Sequence, residues 1–80
     1  HHLSDNSFTV SPNPSTGDIT IRLKEKAAGT ILIRNSVGQL FISESINEQI
    51  HKIEFNVPSG IYFIQLESNG DVFNEILVKN

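Results

Sequence analysis

Histidine and serine are the residues of this sequence that could support catalysis, and their number and spacing argue against it. His51 is the one histidine outside the opening His1-His2-Leu3, and the sequence has no cysteine. A zinc site needs several converging histidine, cysteine or carboxylate ligands. No Gly-x-Ser-x-Gly turn is present to expose a nucleophilic serine. We interpret His51 as a solvated strand histidine and expect no catalytic, metal-binding or cofactor-binding residue.

Acidic residues could act in pairs or hold a cation. Alternation with apolar residues places four glutamates on solvated strand faces, where charge limits aggregation: Glu44, Glu54, Glu67 and Glu75. The sequence does not decide whether two of these glutamates form a carboxylate pair across neighbouring strands. Asp18, Asn69 and Asp71 could bind calcium only if separate loops converge, because the EF-hand spacing is missing. We interpret these three residues as turn formers.

Composition excludes several kinds of partner. The chain has 80 residues, 38% of them hydrophobic, which fits one small domain with a thin two-layer core. The net charge is -3 and the six Lys and Arg residues are scattered, so neither a nucleic acid nor an anionic membrane is an expected partner. No apolar run approaches the roughly 20 residues of a membrane-spanning helix, so no direct membrane insertion is expected.

The elements that position these residues are predicted to be strands. Apolar and polar residues alternate with a period of two in segments such as 19–24 and 52–57, and turn residues separate the segments. In residues 61–67, Tyr62, Ile64 and Leu66 share one face. Residues 44–49 turn polar and indicate an edge or loop. Asn69-Gly70 favours a primed hairpin turn before the last strand, residues 72–79. The sequence predicts an all-β fold of about seven strands in two sheets.

A stiff corner joins the first two predicted strands. Pro12 and Pro14 restrict their own φ angles and push the residues before them toward extended geometry. Ser15, Thr16 and Gly17 then supply turn chemistry. Residues 12–17, called the proline corner below, can be neither helix nor central strand.

Alternation also predicts which side chains face the core. Leu40 and Ile42 in the fourth predicted strand, and Ile76 and Val78 in the last, are expected to point inward. Large apolar residues on the opposite faces are Leu32, Phe41, Ile61, Phe63, Phe73 and Leu77. They exceed what a monomer of this size ordinarily exposes. Either they pack under loops or they form a patch that a partner protein covers.

Several of these segments, in order, resemble the type A C-terminal sorting domain of the bacterial type IX secretion system. The resemblance covers residues 8–80 and rests on Pro12-Asn13-Pro14, Gly38 in a hairpin turn, Gly60-Ile61-Tyr62 and the basic residue Lys79 near the end. It implies an immunoglobulin-like β-sandwich of mainly antiparallel strands. With it, residues 1–6 are interpreted as a tag remnant and linker, and residues 7–80 as the sorting domain.

The resemblance also implies a function. Such a domain is a non-catalytic signal that follows an N-terminal cargo through the periplasm to an outer-membrane translocon and its shuttle protein. A cell-surface signal peptidase then commonly removes it, and the cargo is secreted or attached to the cell surface. Recognition by adding a partner strand at the C-terminal strand is one physical route.

Other classes of function compete with this one. The main alternative is an adhesive or carbohydrate-binding sandwich attached to a secreted enzyme. Carbohydrate modules usually present exposed Trp or Tyr, whereas this chain has no Trp and its one tyrosine, Tyr62, is predicted to be buried. A structural spacer is a further alternative.

Overall fold

The computed structural model of the protein describes residues 8–25 and 27–80. The predicted tag remnant and linker at residues 1–6 lies outside the described residues, as does Ser7, where the predicted domain begins.

Two antiparallel sheets contain all the strands of the described chain. In chain order the strands are β1 (Phe8–Ser11), β2 (Ile19–Leu23), β3 (Gly29–Asn35), β4 (Leu40–Ile46), β5 (Ile50–Ile53), β6 (Gly60–Ser68) and β7 (Asp71–Lys79). One sheet has the order β1-β2-β5 and the other has the order β4-β3-β6-β7. The predicted all-β, immunoglobulin-like sandwich is confirmed. Within residues 8–25 and 27–80, no helix is long and apolar enough to cross a bilayer.

The core lies between the two sheets and follows the alternation of the strands. In β2 the odd-numbered residues Ile19, Ile21 and Leu23 are buried, and in β6 the buried residues are Tyr62, Ile64 and Leu66. The buried apolar residues are Phe8, Ile19, Ile21, Leu23, Ile31, Ile33, Ile46, Ile53, Phe55, Tyr62, Ile64, Leu66 and Leu77. Each buried aliphatic or aromatic side chain stabilises the fold by about 1.5–3 kcal/mol relative to an exposed one.

The predicted orientation of β7 is wrong. Leu77 is 0% exposed and Ile76 is 56% exposed, which is the reverse of the expected faces. The register explains the difference, because Asn69 and Gly70 form a two-residue turn that pairs Ser68 with Asp71. With this register, Leu77 lies opposite the buried Tyr62, so Leu77 and not Ile76 must face the core.

Irregularities also shift the central hairpin and β5. The pairing of β3 with β4 changes register between Ile33 and Arg34, so Leu40, expected in the core, pairs with Arg34 and is exposed. Ile46, expected in an edge or loop, is the buried end of β4. β5 ends at Ile53, and Phe55 reaches the core from the loop that follows.

Candidate functional site

His51 belongs to a contact between the two sheets. It lies on β5 opposite the buried Ile21, so it shares the inward face of that strand. Its Nε2 lies 2.8 Å from Oε1 of Glu44 on β4, the edge strand of the other sheet. The expectation of solvated positions is therefore wrong for both residues, which are partly buried. The pair joins the sheets along one side of the sandwich.

The other acidic residues do not converge. Glu75 lies on β7 opposite the buried Ile64, so its carboxylate is on the inward side of an edge strand and is partly buried, contrary to expectation. Asp71 begins β7, whereas Asp18 follows the proline corner, which contacts the opposite end of that strand. A strand of this length separates the two ends by roughly 25 Å. Within the described ranges, no group of three or more His, Cys, Asp or Glu residues could hold a metal ion.

The proline corner runs along the outer edge of β7, where Asn13 takes the place of a peptide group. Its Nδ2 donates to the Ile76 carbonyl oxygen at 3.0 Å, and its Oδ1 accepts from the Val78 N–H at 3.1 Å. The peptide bonds before Pro12 and Pro14 are both cis. One side chain thus satisfies two main-chain groups of an edge strand.

Ser15 continues the contact as a short parallel bridge to Lys79. The Ser15 N–H donates to the Val78 carbonyl oxygen, and the Asn80 N–H donates to the Ser15 carbonyl oxygen, both at 2.7 Å. Ser15 is fully buried, and its hydroxyl exchanges hydrogen bonds with Gly17. The first strand therefore pairs with β2 in one sheet, and the corner after it pairs with β7 in the other.

Tyr62 and Lys79 both hold the loop between β5 and β6. The Tyr62 hydroxyl donates to the Pro58 carbonyl oxygen at 2.6 Å, and Lys79 Nζ donates to the Val57 carbonyl oxygen at 3.0 Å. The Tyr62 ring is buried, as predicted, and makes edge-to-face contacts with Phe41 and Phe55. Because the ring is buried, it cannot serve as a stacking platform for a sugar.

Gly38 and Gly60 supply backbone conformations that other residues rarely adopt. Their φ angles are 90° and 152°. A Cβ at Gly38 would meet no atom within 4 Å, so conformation and not space requires the glycine. The same turn is fixed by Asn35, whose Oδ1 accepts from the N–H groups of Val37 and Gln39. An aspartate carboxylate at position 35 could also accept hydrogen bonds from these two N–H groups.

The predicted apolar patch is divided between the core and the surface. Leu77 is fully buried, and Phe41 and Phe73 are partly buried against the core, so these three do not form an exposed surface. Ile61 and Phe63 are 50% and 42% exposed on the outer face of the larger sheet. Leu32, on the same face, is partly buried.

Two residues that were predicted to face the core lie on the same outer face as this exposed pair. Ile76 lies opposite Phe63 on β7, and Leu40 lies at the other edge of the sheet. Arg34 on β3 lies between Leu40 and Phe63 in this row, so the exposed apolar residues flank a basic side chain. We call Leu40, Ile61, Phe63 and Ile76 the outer-face surface.

Sequence reasoning missed two residues that shape the site. Asn13 belongs to the Pro12-Asn13-Pro14 motif, but no nearby residue in the sequence indicates its contact with β7. Gly29 packs so closely on β6 that a Cβ there would overlap the Glu67 carbonyl oxygen. A glycine inside a strand is the signal that could have indicated such an approach.

These contacts define a class of protein: an immunoglobulin-like sandwich module in which Asn13, Tyr62, Lys79 and the two turn glycines fix the backbone. The family model of the secretion system C-terminal sorting domain matches residues 9–80, and the chain belongs to this family. The domain is thus a C-terminal sorting signal of type IX secretion, which directs export to the cell surface or the medium.

The chain is also similar to part of a named protein. Karilysin of Tannerella forsythia is 28% identical over 86 aligned positions, which cover 90% of this chain. The chain spans 18% of the length of that relative.

Proposed function

We propose that this domain is a non-catalytic sorting signal that directs an N-terminal cargo to the type IX translocon and its outer-membrane shuttle protein. A cell-surface signal peptidase then separates the domain from the cargo. The family match over residues 9–80 carries this proposal. His51 joins the two sheets through Glu44, and Ser15 is fully buried in the contact with β7, so both residues have structural roles.

We further propose that the machinery recognises the folded domain through side chains on the outer face of the larger sheet. Of the residues predicted for a partner patch, Ile61, Phe63 and the partly buried Leu32 lie on this face. The outer-face surface supports this choice because its apolar side chains are exposed together on one sheet, as at many protein interaction sites.

A reporter experiment tests the sorting function. The complete 80-residue chain is fused behind a periplasm-targeted reporter in a host that has the type IX translocon and in a matched strain that lacks it. We expect the reporter outside the cell in the first strain alone. Equal amounts outside both strains, or retention in both, would refute the proposed function.

The control in this experiment must keep the domain folded. Deleting residues 76–80 removes the buried Leu77, the Lys79 hydrogen bond and the groups that hold the proline corner. Lost export after that deletion would report unfolding as readily as lost recognition. Phe63→Ser is the sharper variant, because Phe63 is exposed and makes no ring contact with the aromatic cluster at Tyr62.

A further inference from the structure

β7 is an edge strand, and half of its outer edge is already paired. The proline corner contacts the carbonyl oxygens of Ile76 and Val78 and the N–H groups of Val78 and Asn80. In an antiparallel ladder, main-chain groups that point away from the neighbouring strand recur at every second residue. Val72 and Asn74 therefore also direct their N–H and C=O groups outward.

The first half of the same edge has no such hydrogen-bond partner within residues 8–25 and 27–80. Within the described ranges, no hydrogen bond from another segment reaches the outward main-chain groups of Val72 and Asn74. The corner shows that an extended segment fits beside β7, and it stops short of these residues. Any strand that joins the sheet here must therefore pair with residues 72–76.

Charge distinguishes this edge from the opposite one. Both edge strands of the larger sheet carry an inward glutamate, Glu44 on β4 and Glu75 on β7. Glu44 is paired with His51. Among the described residues no cationic group forms an ion pair with Glu75. A basic side chain beside Glu75 would give this carboxylate a partner, as His51 does for Glu44.

The outer side of the first half of the β7 edge is apolar. Ile76 and Phe63 are exposed and, with Asn74 and Glu75, line a surface cavity of about 430 Å³. We propose that the edge of β7 at residues 72–76 binds an extended strand of the secretion machinery. That strand places a basic side chain beside Glu75 and an apolar side chain in the cavity. This inference rests on the proposed sorting function and specifies its recognition step.

Substitutions at Asn74 test the main-chain part of the proposal. Proline there removes an outward N–H but leaves the ladder with β6 intact, whereas alanine changes the side chain and keeps the N–H. In the reporter assay Asn74→Ala is the matched comparison, because it changes one lining side chain of the cavity and keeps the main-chain N–H. Asn74→Pro should export at least ~10-fold less, since strand addition loses a hydrogen bond and meets the proline ring.

Substitutions at Glu75 test the charge. We expect Glu75→Lys to reduce export more than Glu75→Gln, and circular dichroism should show both variants folded. If Asn74→Pro fails to fold, the glutamate pair decides alone. Equal export of Asn74→Pro and Asn74→Ala, or of Glu75→Lys and Glu75→Gln, would overturn the strand-addition proposal while leaving the sorting function standing. Failure of the unchanged domain to require the translocon would instead refute the sorting function itself.

Discussion

Asn13→Ala should loosen the proline corner from β7 by a measurable amount. The change removes the hydrogen bonds at 3.0 Å to the Ile76 carbonyl oxygen and at 3.1 Å from the Val78 N–H. A net hydrogen bond contributes about 0.5–1.5 kcal/mol, and water can replace these exposed ones, so we expect a loss of about 1–2 kcal/mol. For a domain of this size, such a loss lowers Tm by roughly 5–15 °C. The two hydrogen bonds of Ser15 remain in the variant.

Calorimetry and amide hydrogen exchange together measure this effect. Exchange should accelerate at Val78, whose N–H loses its acceptor, and much less at Asn80, whose N–H is bound to Ser15. Asn13→Asp should keep protection at Val78 and still lower Tm, because it sets a carboxylate oxygen against a carbonyl oxygen. Asn74→Ala is the matched control and should leave both measurements near those of the unchanged domain. Unchanged Tm together with unchanged exchange at Val78 in Asn13→Ala would refute the edge-pairing role of Asn13.

Five further substitutions test how the loop and the strands pack. Tyr62→Phe and Lys79→Met each remove one hydrogen bond to the loop at residues 54–59. Each should lower the free energy of unfolding, measured in urea, by about 1–2 kcal/mol and make that loop more sensitive to proteolysis. Phe63→Ser should lower the free energy of unfolding by less than about 1 kcal/mol, whereas Phe73→Ser should lower it by about 2–3 kcal/mol because the Phe73 ring packs on the core. Equal losses would contradict the assignment of the two side chains to opposite faces. Gly29→Ala should destabilise by about 3 kcal/mol or prevent folding, since its methyl group overlaps a β6 carbonyl oxygen, and a native-like Tm would show that the strands can separate.

Strand identity could be predicted wherever alternation and a turn agreed. Ile19, Ile21 and Leu23 alternate with polar residues, and all three are buried. Tyr62 and Leu66 on β6, expected on the inward face, are also buried. In these segments, burial on one face is the main term that selects the strand, and the period of two records it in the sequence.

Alternation within β7 alone predicts the wrong inward face, because the turn before the strand determines its register. Val72 to Lys79 has large apolar residues on both faces, so alternation alone does not decide which face is inward. A two-residue Asn-Gly turn, however, fixes Ser68 opposite Asp71, and the register then follows residue by residue. Since Tyr62 was expected in the core, its partner Leu77 had to be there too. The turn contained information that the side chains of β7 did not.

The contact of the proline corner with β7 could not be predicted in this way. Asn13 and Val78 are 65 positions apart, and an exposed amide beside two prolines is equally suited to a free turn. The fold brings them together because β1 and β7 lie at the same side of the sandwich, where an edge strand would otherwise present unpaired main-chain groups. An edge of this kind invites pairing with other chains. The corner pairs with the half of the edge from Ile76 onward, and no other described segment pairs with the half before it. The position of Asn13 therefore fixes where another strand can join the sheet.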